Sequence, residues 1–438
     1  MKNWLIPIIT LLYFPAKAQV LFTSFQDLLN YADEHAISVQ SAVMNEQIAN
    51  AGKKEAKSFL FPTVNASAGY NDNITLQPTL VPAQIINTAA PEGTFEEMTF
   101  GKPHIYSAGV QAQWDVLNFQ KIFASQTAHI QAEESKVNTQ KSRFSTYNAL
   151  ASTYYSILLT QESIRIYEEN TKASEAIYKN AQEKFQKGII GEAELNTAAI
   201  KNRQNKSNLS QVNDNLKRFY TQLQSQLNMD EDILITDTPQ KFALADSYLQ
   251  NVHPEILWQE MEVKKYQSIL KQRKALHLPS LSVVYQYNYN WATDGFLDFS
   301  GANHLPQQFL GVKLNVPLFS GFSTHHKINQ SKWELQLQQL QLENTKLVKQ
   351  KEDEMLLLEL KQSSQQLSDN QQILELQQQN DVHAENKYQS GIMSLDERLN
   401  KYDDLLTAQN NYLQSLATYT LAQYKIYIRK IDFSSNKR

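Results

Sequence analysis

The residues able to do chemistry in this 438-residue chain form no reaction centre. There is no cysteine, which excludes thiolate zinc sites, a thiol nucleophile, a disulfide framework and a lipid anchor on cysteine. The nine histidines are scattered. His325 and His326 are adjacent, so on a helix they diverge, whereas two side chains sharing one face need a spacing of three or four. No glycine-rich phosphate loop and no nucleophile motif occurs. The sequence therefore implies no enzyme, no metal site and no cofactor. A net charge of −4 also lacks the basic excess of a nucleic-acid-binding surface. What remains is acidic and occurs at two equivalent places. Glu194 follows Gly188, and Glu397 follows Gly391 at the same distance with Asp396 beside it. Carboxylates are favoured in the first turn of a helix by its dipole, so these acids first of all mark two helix starts.

The elements that carry them can be read from the helix breakers. Average usage would place roughly 31 Gly and 22 Pro in a chain of this length; there are 12 of each. No proline lies between Pro103 and Pro239, and none follows Pro317. An interior proline costs a helix about 3 kcal/mol and a glycine about 1, so these are the stretches where very long helices are permitted. Phe119–Lys187 and Ser323–Ser390 each run unbroken; at 1.5 Å per residue either would reach roughly 100 Å. Each returns after a glycine, along Glu192–Leu227 and Leu395–Ile431. Leu399, Tyr402, Leu406, Gln409, Leu413 and Leu416 are spaced by threes and fours, and Leu360, Leu367 and Leu374 by sevens, as in coiled coils. The second long helix is rich in Gln, a polar but uncharged face that suits the wall of an aqueous duct. Two shorter helices are expected near Ser24–Phe59 and His253–Leu276.

The chain is written twice. His35–Pro62 corresponds to His253–Pro279, Gly109-Val110 to Gly311-Val312, and Lys184–Ile190 to Lys387–Met393. The period far exceeds that of solenoid repeats, so a whole domain has been duplicated. Each half holds two stretches of strand periodicity. Val64, Ala66, Ala68 and Tyr70 alternate with polar residues, as do Tyr106, Ala108, Val110, Ala112 and Trp114. In the second half the apolar sets are Leu281, Val283, Tyr285, Tyr287, Tyr289 and Trp291, then Leu310, Val312, Leu314 and Val316. One apolar face, one polar face and aromatics near the ends describe a transmembrane β-barrel wall. Four strands cannot close a pore, and an open edge is not tolerated in lipid, so the barrel must be shared between copies of the chain.

Met1–Ala18 has a basic start, a short apolar run and an Ala-Lys-Ala ending, and reads as a secretory signal peptide. The expected organisation is a signal peptide over 1–18, a first repeat over 19–228 (helix, β-hairpin about 62–117, helical hairpin about 119–227) and a linker over 229–252. A second repeat follows over 253–431 (helix, β-hairpin about 279–317, helical hairpin about 320–431), then a tail over 432–438.

From Ser24 to Ile431 the chain resembles the TolC-like outer-membrane efflux family. His253-Pro254-Glu255-Ile256 is similar to its helix-opening motif and Leu278-Pro279-Ser280-Leu281 to its helix-to-strand junction. Val316-Pro317-Leu318-Phe319-Ser320-Gly321 resembles its strand-to-helix junction, and Lys387-Tyr388-Gln389-Ser390-Gly391 with Asp396-Glu397 its periplasmic tip. The resemblance implies a mainly α fold of duplicated coiled-coil hairpins forming a periplasmic α-barrel. Four strands per chain would contribute to a trimeric 12-stranded outer-membrane β-barrel. It implies a homotrimer set in outer-membrane lipid. The trimer would act as a passive exit duct for efflux or type I secretion, working with a periplasmic adaptor (membrane fusion protein) and an inner-membrane pump or ABC transporter. It further implies that Gly188, Ile189, Ile190, Gly191, Gly391, Ile392, Met393 and Ser394 are adaptor-docking tips. The exposed Ile189, Ile190, Ile392 and Met393 would form the apolar contact. Glu397, Asp396, Glu194 and Tyr388 would form the periplasmic gate, the acids repeating around a threefold axis and Tyr388 holding the tip closed. Asn400 stands where the family has a second acid, and Met393 where some members carry an arginine. The alternative is a periplasmic coiled-coil adaptor or structural protein without a pore.

Overall fold

The computed structural model describes residues 19–237 and 251–433, so the expected signal peptide, part of the 229–252 linker and most of the tail lie outside the described residues. The first half contains β1 (Gln19–Phe22), α1 (Phe25–His35), α2 (Ile37–Glu55), β2 (Thr63–Asp72), β3 (Pro78–Pro82), β4 (Phe95–Thr99), β5 (His104–Asn118), α3 (Phe119–Gln186) and α4 (Glu192–Leu227). Then follow β6 (Asp232–Ile235), α5 (Pro254–Lys274), β7 (Ser280–Thr293), β8 (Asn303–Asn315), α6 (Ser323–Gln389) and α7 (Leu395–Lys430). The chain divides into two compact units, each drawing on both halves of the sequence. No described helix is long and apolar enough to cross a membrane.

One unit, residues 48–133 and 261–339, is built on a four-stranded antiparallel sheet in the order β2-β5-β7-β8. Its register lines up the alternating apolar residues. Val110 lies opposite Ala66 and Tyr287, Tyr106 opposite Tyr70 and Trp291, and Val283 opposite Trp114 and Val312. Because strand side chains alternate between faces, these cross-strand partners share one mainly apolar face, interrupted in β8 by Gln308 opposite Tyr287 and His304 opposite Trp291. Gln111 opposite Gln286 and Ser107 opposite Asn290 lie on the other. Gly109 is required there: a Cβ would meet the Tyr287 carbonyl oxygen at 2.9 Å and run into the Asn288 side chain. A bulge between Asp115 and Leu117 breaks the β5–β7 register. Beside it Asp115 accepts hydrogen bonds from Ser282 Oγ (3.0 Å) and Lys121 Nζ (2.5 Å).

The connection between β2 and β5 is not plain loop. β3 and β4 pair antiparallel into a small ribbon, which the Pro-rich composition concealed. Pro78 and Pro82 stand at the ends of β3, where the missing N–H is tolerated.

The other unit holds the main core, which is helical. Phe25, Leu28, Leu29, Tyr154, Leu150, Leu223, Leu227, Tyr424 and Ile428 are all buried there. A short parallel pair, β1 with β6, adds Phe22, Ile233 and Ile235. The helix expected over Ser24–Phe59 is interrupted: Ala36 takes an extended conformation (ψ 122°), ending α1 before α2 begins. Ser24 caps α1 by accepting from Asp27 N–H at 3.2 Å. Pro254 opens α5, where a missing N–H costs nothing. His253 caps it, its Nδ1 accepting from Glu255 N–H at 3.1 Å. That acceptor exists only on a neutral ring. Burial, then the nearby Arg429 and Lys349, push the His253 pKa down from 6.5 to about 4. The cap therefore stabilises the fold fully above pH 6.5 and is lost as pH falls through about 4.

Candidate functional site

Both long hairpins turn with the same backbone device. At the first, Gly188 has φ +71°, its N–H donates to Phe185 O (2.8 Å), and Ile189 N–H donates to Lys184 O (2.9 Å). At the second, Gly391 has φ +75°, donates to Tyr388 O (3.2 Å), and Ile392 N–H donates to Lys387 O (2.9 Å). These are Schellman motifs, in which a left-handed residue satisfies the last carbonyls of a helix. A side chain at φ > 0 costs roughly 1–2 kcal/mol. Gly391→Val is therefore expected to destabilise the tip by about that much. Amide exchange at the end of α6 and the start of α7 should accelerate in this variant.

The residues after each glycine separate into two kinds. Ile189 and Ile392 are exposed (65% and 76%). Ile190 and Met393 are half-buried against a cluster of Ile177, Ala181, Ala198, Tyr388, Leu395, Leu399 and Tyr402. The expected apolar contact thus narrows from four residues to two. The reason is local: Ile190 and Met393 immediately precede the helix caps Gly191 and Ser394, where an apolar side chain folds back onto its own helix. Leu195, one turn into α4, packs against the same cluster as Ile190.

The tip acids are helix caps as well as charges. Ser394 Oγ accepts from Glu397 N–H (3.2 Å), and Glu397 Oε2 accepts from Ser394 N–H (3.1 Å), a complete capping box. Glu194 Oε2 accepts from Gly191 N–H at 2.7 Å. Glu397 and Asp396 are exposed, and Glu194 is half-buried. Tyr388 is buried (1% exposed) and its hydroxyl has no hydrogen-bond partner among the described residues. Burial pushes its pKa up. Lys184 Nζ lies 3.5 Å from the centre of the Tyr388 ring and donates to Tyr388 O at 3.3 Å, linking the end of α3 to the end of α6. Burial lowers the Lys184 pKa.

Two clusters behind the tips were not recognised from sequence, although Tyr402 and Gln409 of the second were already on the apolar spacing of the last helix. Arg398 is 2% exposed and holds Asp381 through a two-pronged contact (2.7 and 3.3 Å) and Glu385 through Nε (2.8 Å). It ties α7 to α6. Its signal was its position between Leu395 and Tyr402, on the face whose apolar spacing was already evident. The second is a buried polar seam. Tyr402 Oη donates to Asn170 O (2.7 Å) and accepts from Asn205 Nδ2 (3.0 Å), and Asn170 Nδ2 donates to Gln409 Oε1 (2.8 Å). It joins α7 to α3 and α4.

The family model for outer membrane efflux proteins matches residues 28–228 and 244–430. The chain belongs to this family. Solved structures with the same fold include the Campylobacter jejuni CmeC outer membrane channel. It is 17% identical, with 94% of this chain and 87% of that chain covered and a TM-score of 0.75. VceC of Vibrio cholerae is 14% identical (93% and 96% covered, TM-score 0.69). The Neisseria gonorrhoeae MtrE channel, solved in its open state, is 14% identical (93% and 88%, TM-score 0.71). None of the curated proteins compared matches the chain. As a family member the protein is an outer-membrane channel, an exit duct for efflux whose helical part extends into the periplasm, and not an enzyme. Channels of this family are trimers that work with periplasmic adaptors and inner-membrane pumps. The alternative of an adaptor without a pore falls with the family assignment.

Proposed function

We propose that three copies close the duct and that its periplasmic entrance is gated by the tip acids. The observation that carries the reading is the four-stranded sheet with one mainly apolar face and two outer edges, β2 and β8, that are unpaired among the described residues. Such edges need partners in lipid. The helices carry a matching sign: α6 leaves Trp333, Leu337, Leu340, Leu347, Met355 and Leu358 exposed at spacings of three, four, seven and eight. An apolar stripe of this kind fits a neighbouring helix. The domain boundaries expected from the duplication place one membrane hairpin and one periplasmic hairpin in each repeat.

Glu397, with Asp396 and Glu194, would then form a negative ring at the entrance, and Tyr388 with Lys184 would hold the two hairpins together beside it. Ile189 and Ile392 would meet the adaptor. Glu397→Gln tests the gate, because glutamine preserves the capping box while removing the charge. One charge at about 4 Å in water is worth about 1 kcal/mol. Planar-bilayer recordings of the variant should therefore show weaker cation preference and about fivefold weaker block by multivalent cations. Recordings identical to those of the parent protein would remove Glu397 from the gate.

A further inference from the structure

The loop between β7 and β8 does something its composition does not announce. Its aromatic residues fold back onto the sheet. Phe299 packs on Tyr106 (ring centroids 4.9 Å) and Phe296 on Tyr70 (5.5 Å). Tyr70, Tyr106 and Trp291 are cross-strand partners on the apolar face. The loop therefore lies over the outer end of that face rather than over the polar one.

The placement is fixed by hydrogen bonds. Leu297 N–H donates to Tyr106 Oη at 2.8 Å, and Thr293 Oγ1 donates to Gly295 O at 2.8 Å. Ser300 Oγ donates to Asp298 Oδ1 at 2.6 Å. Lys102, from the neighbouring connection, bonds Asp294 Oδ2 (2.9 Å) and Gly301 O (3.3 Å). Leu297 is held at φ +59°, a conformation that strains a branched side chain. Yet Phe296, Leu297 and Phe299 stay exposed, at 63%, 60% and 47%. Three large apolar side chains pinned outward by a tied loop are not a folding remainder. Phe299 also lines a depression of about 510 Å³ together with Tyr70, Tyr106, Trp291 and the small residues Ala68, Gly69, Ser107 and Ala108.

We infer that residues 294–302 form a lipid anchor, with Phe296, Leu297 and Phe299 inserted among the acyl chains of the outer leaflet and the depression beside Phe299 taking one chain. Continuity carries the choice of occupant: the loop extends the face that the strands turn to lipid, and aromatic residues collect at such interfaces. The inference rests on the membrane reading of the sheet.

The absence of native cysteine allows a clean test. Spin labels on Phe296→Cys and, as a second site, Phe299→Cys are compared in proteoliposomes with Val110→Cys in the middle of the apolar face and Glu92→Cys in the β3–β4 connection. Collision with oxygen relative to a water-soluble nickel chelate is measured at each. The anchor predicts ratios at 296 and 299 matching that at 110 and several-fold above that at 92. A ratio at either loop site equal to that at 92, while 110 remains lipid-like, overturns the anchor and leaves the barrel standing. Low collision with both reagents at 296 would mean a neighbouring copy covers the loop, which also overturns it. A water-like ratio at 110 would overturn the membrane reading itself.

Discussion

Replacing Arg398 with methionine should destabilise the α6–α7 tip by about 3 kcal/mol. Removing one partner from a buried charge pair typically costs 3–5 kcal/mol, because the other charge is left uncompensated. The lower end applies, since the side chains of Asp381 and Glu385 keep 18% and 34% of their exposure and remain partly solvated. Two carboxylates one turn apart on α6 would then be left without the guanidinium that joins them to α7. Amide exchange should accelerate at the facing ends of α6 and α7, where the clamp ties the two helices. Adding Asp381→Leu and Glu385→Leu to Arg398→Met should restore most of the protection, because an apolar replacement of the whole cluster leaves no stranded charge. Exchange in Arg398→Met equal to that of the parent would show that the clamp does not hold the hairpin. Because Arg398 follows Glu397 directly, the same variant should disturb the position of the tip acid. Under the gate proposed above, its channel should leak in bilayer recordings, whereas that of the triple variant should not.

Tyr402→Ala should be the most destabilising single change in the helical hairpins, at about 4 kcal/mol, as for other large core aromatics cut to alanine. Tyr402 is 0% exposed, and it is the point where α7 meets both α3 and α4. The alanine variant removes the packing and both hydroxyl bonds, leaving Asn205 Nδ2 only its long bond to Asn170 O (3.5 Å). Tyr402→Phe isolates the second effect. It keeps the ring but loses both hydroxyl bonds in a buried site, at about 1–3 kcal/mol. Thermal unfolding followed by circular dichroism in detergent should rank parent above Tyr402→Phe above Tyr402→Ala. A phenylalanine variant as stable as the parent would show that the hydroxyl's bonds are not what fixes the hairpins in register.

Much of this protein was legible one segment at a time. The breaker-free stretches became α3 and α6, and their returns became α4 and α7. The alternating residues of four strands came together on a single face, except Val316, which lies beyond the end of β8. Glycines at the two turns took the left-handed conformation. Each of these depends on neighbours within a few positions, where backbone sterics and side-chain period decide. The elements that escaped notice were short or compositionally disguised: the β1–β6 pair has four residues a side, the β3–β4 ribbon is bracketed by prolines, and the break at Ala36 carries no Gly or Pro.

The sequence by itself determined that the chain is duplicated, that it makes long helical hairpins, and that its sheet has one face for lipid. It also placed acids and glycines at both tips. Only the tertiary structure decided how those tips are built. It turned Ile190 and Met393 inward and left Ile189 and Ile392 outside. It paired Arg398 with acids on another helix, made Glu397 the partner of its own cap, and laid the β7–β8 loop over the apolar face. The physical reason is range. Period and turn chemistry act over one or two helical turns and are written locally. Which turn of α7 faces which turn of α6, or which strand face lies under a loop, is set by packing between residues far apart in the chain, and single-sequence periodicity holds no record of that distance.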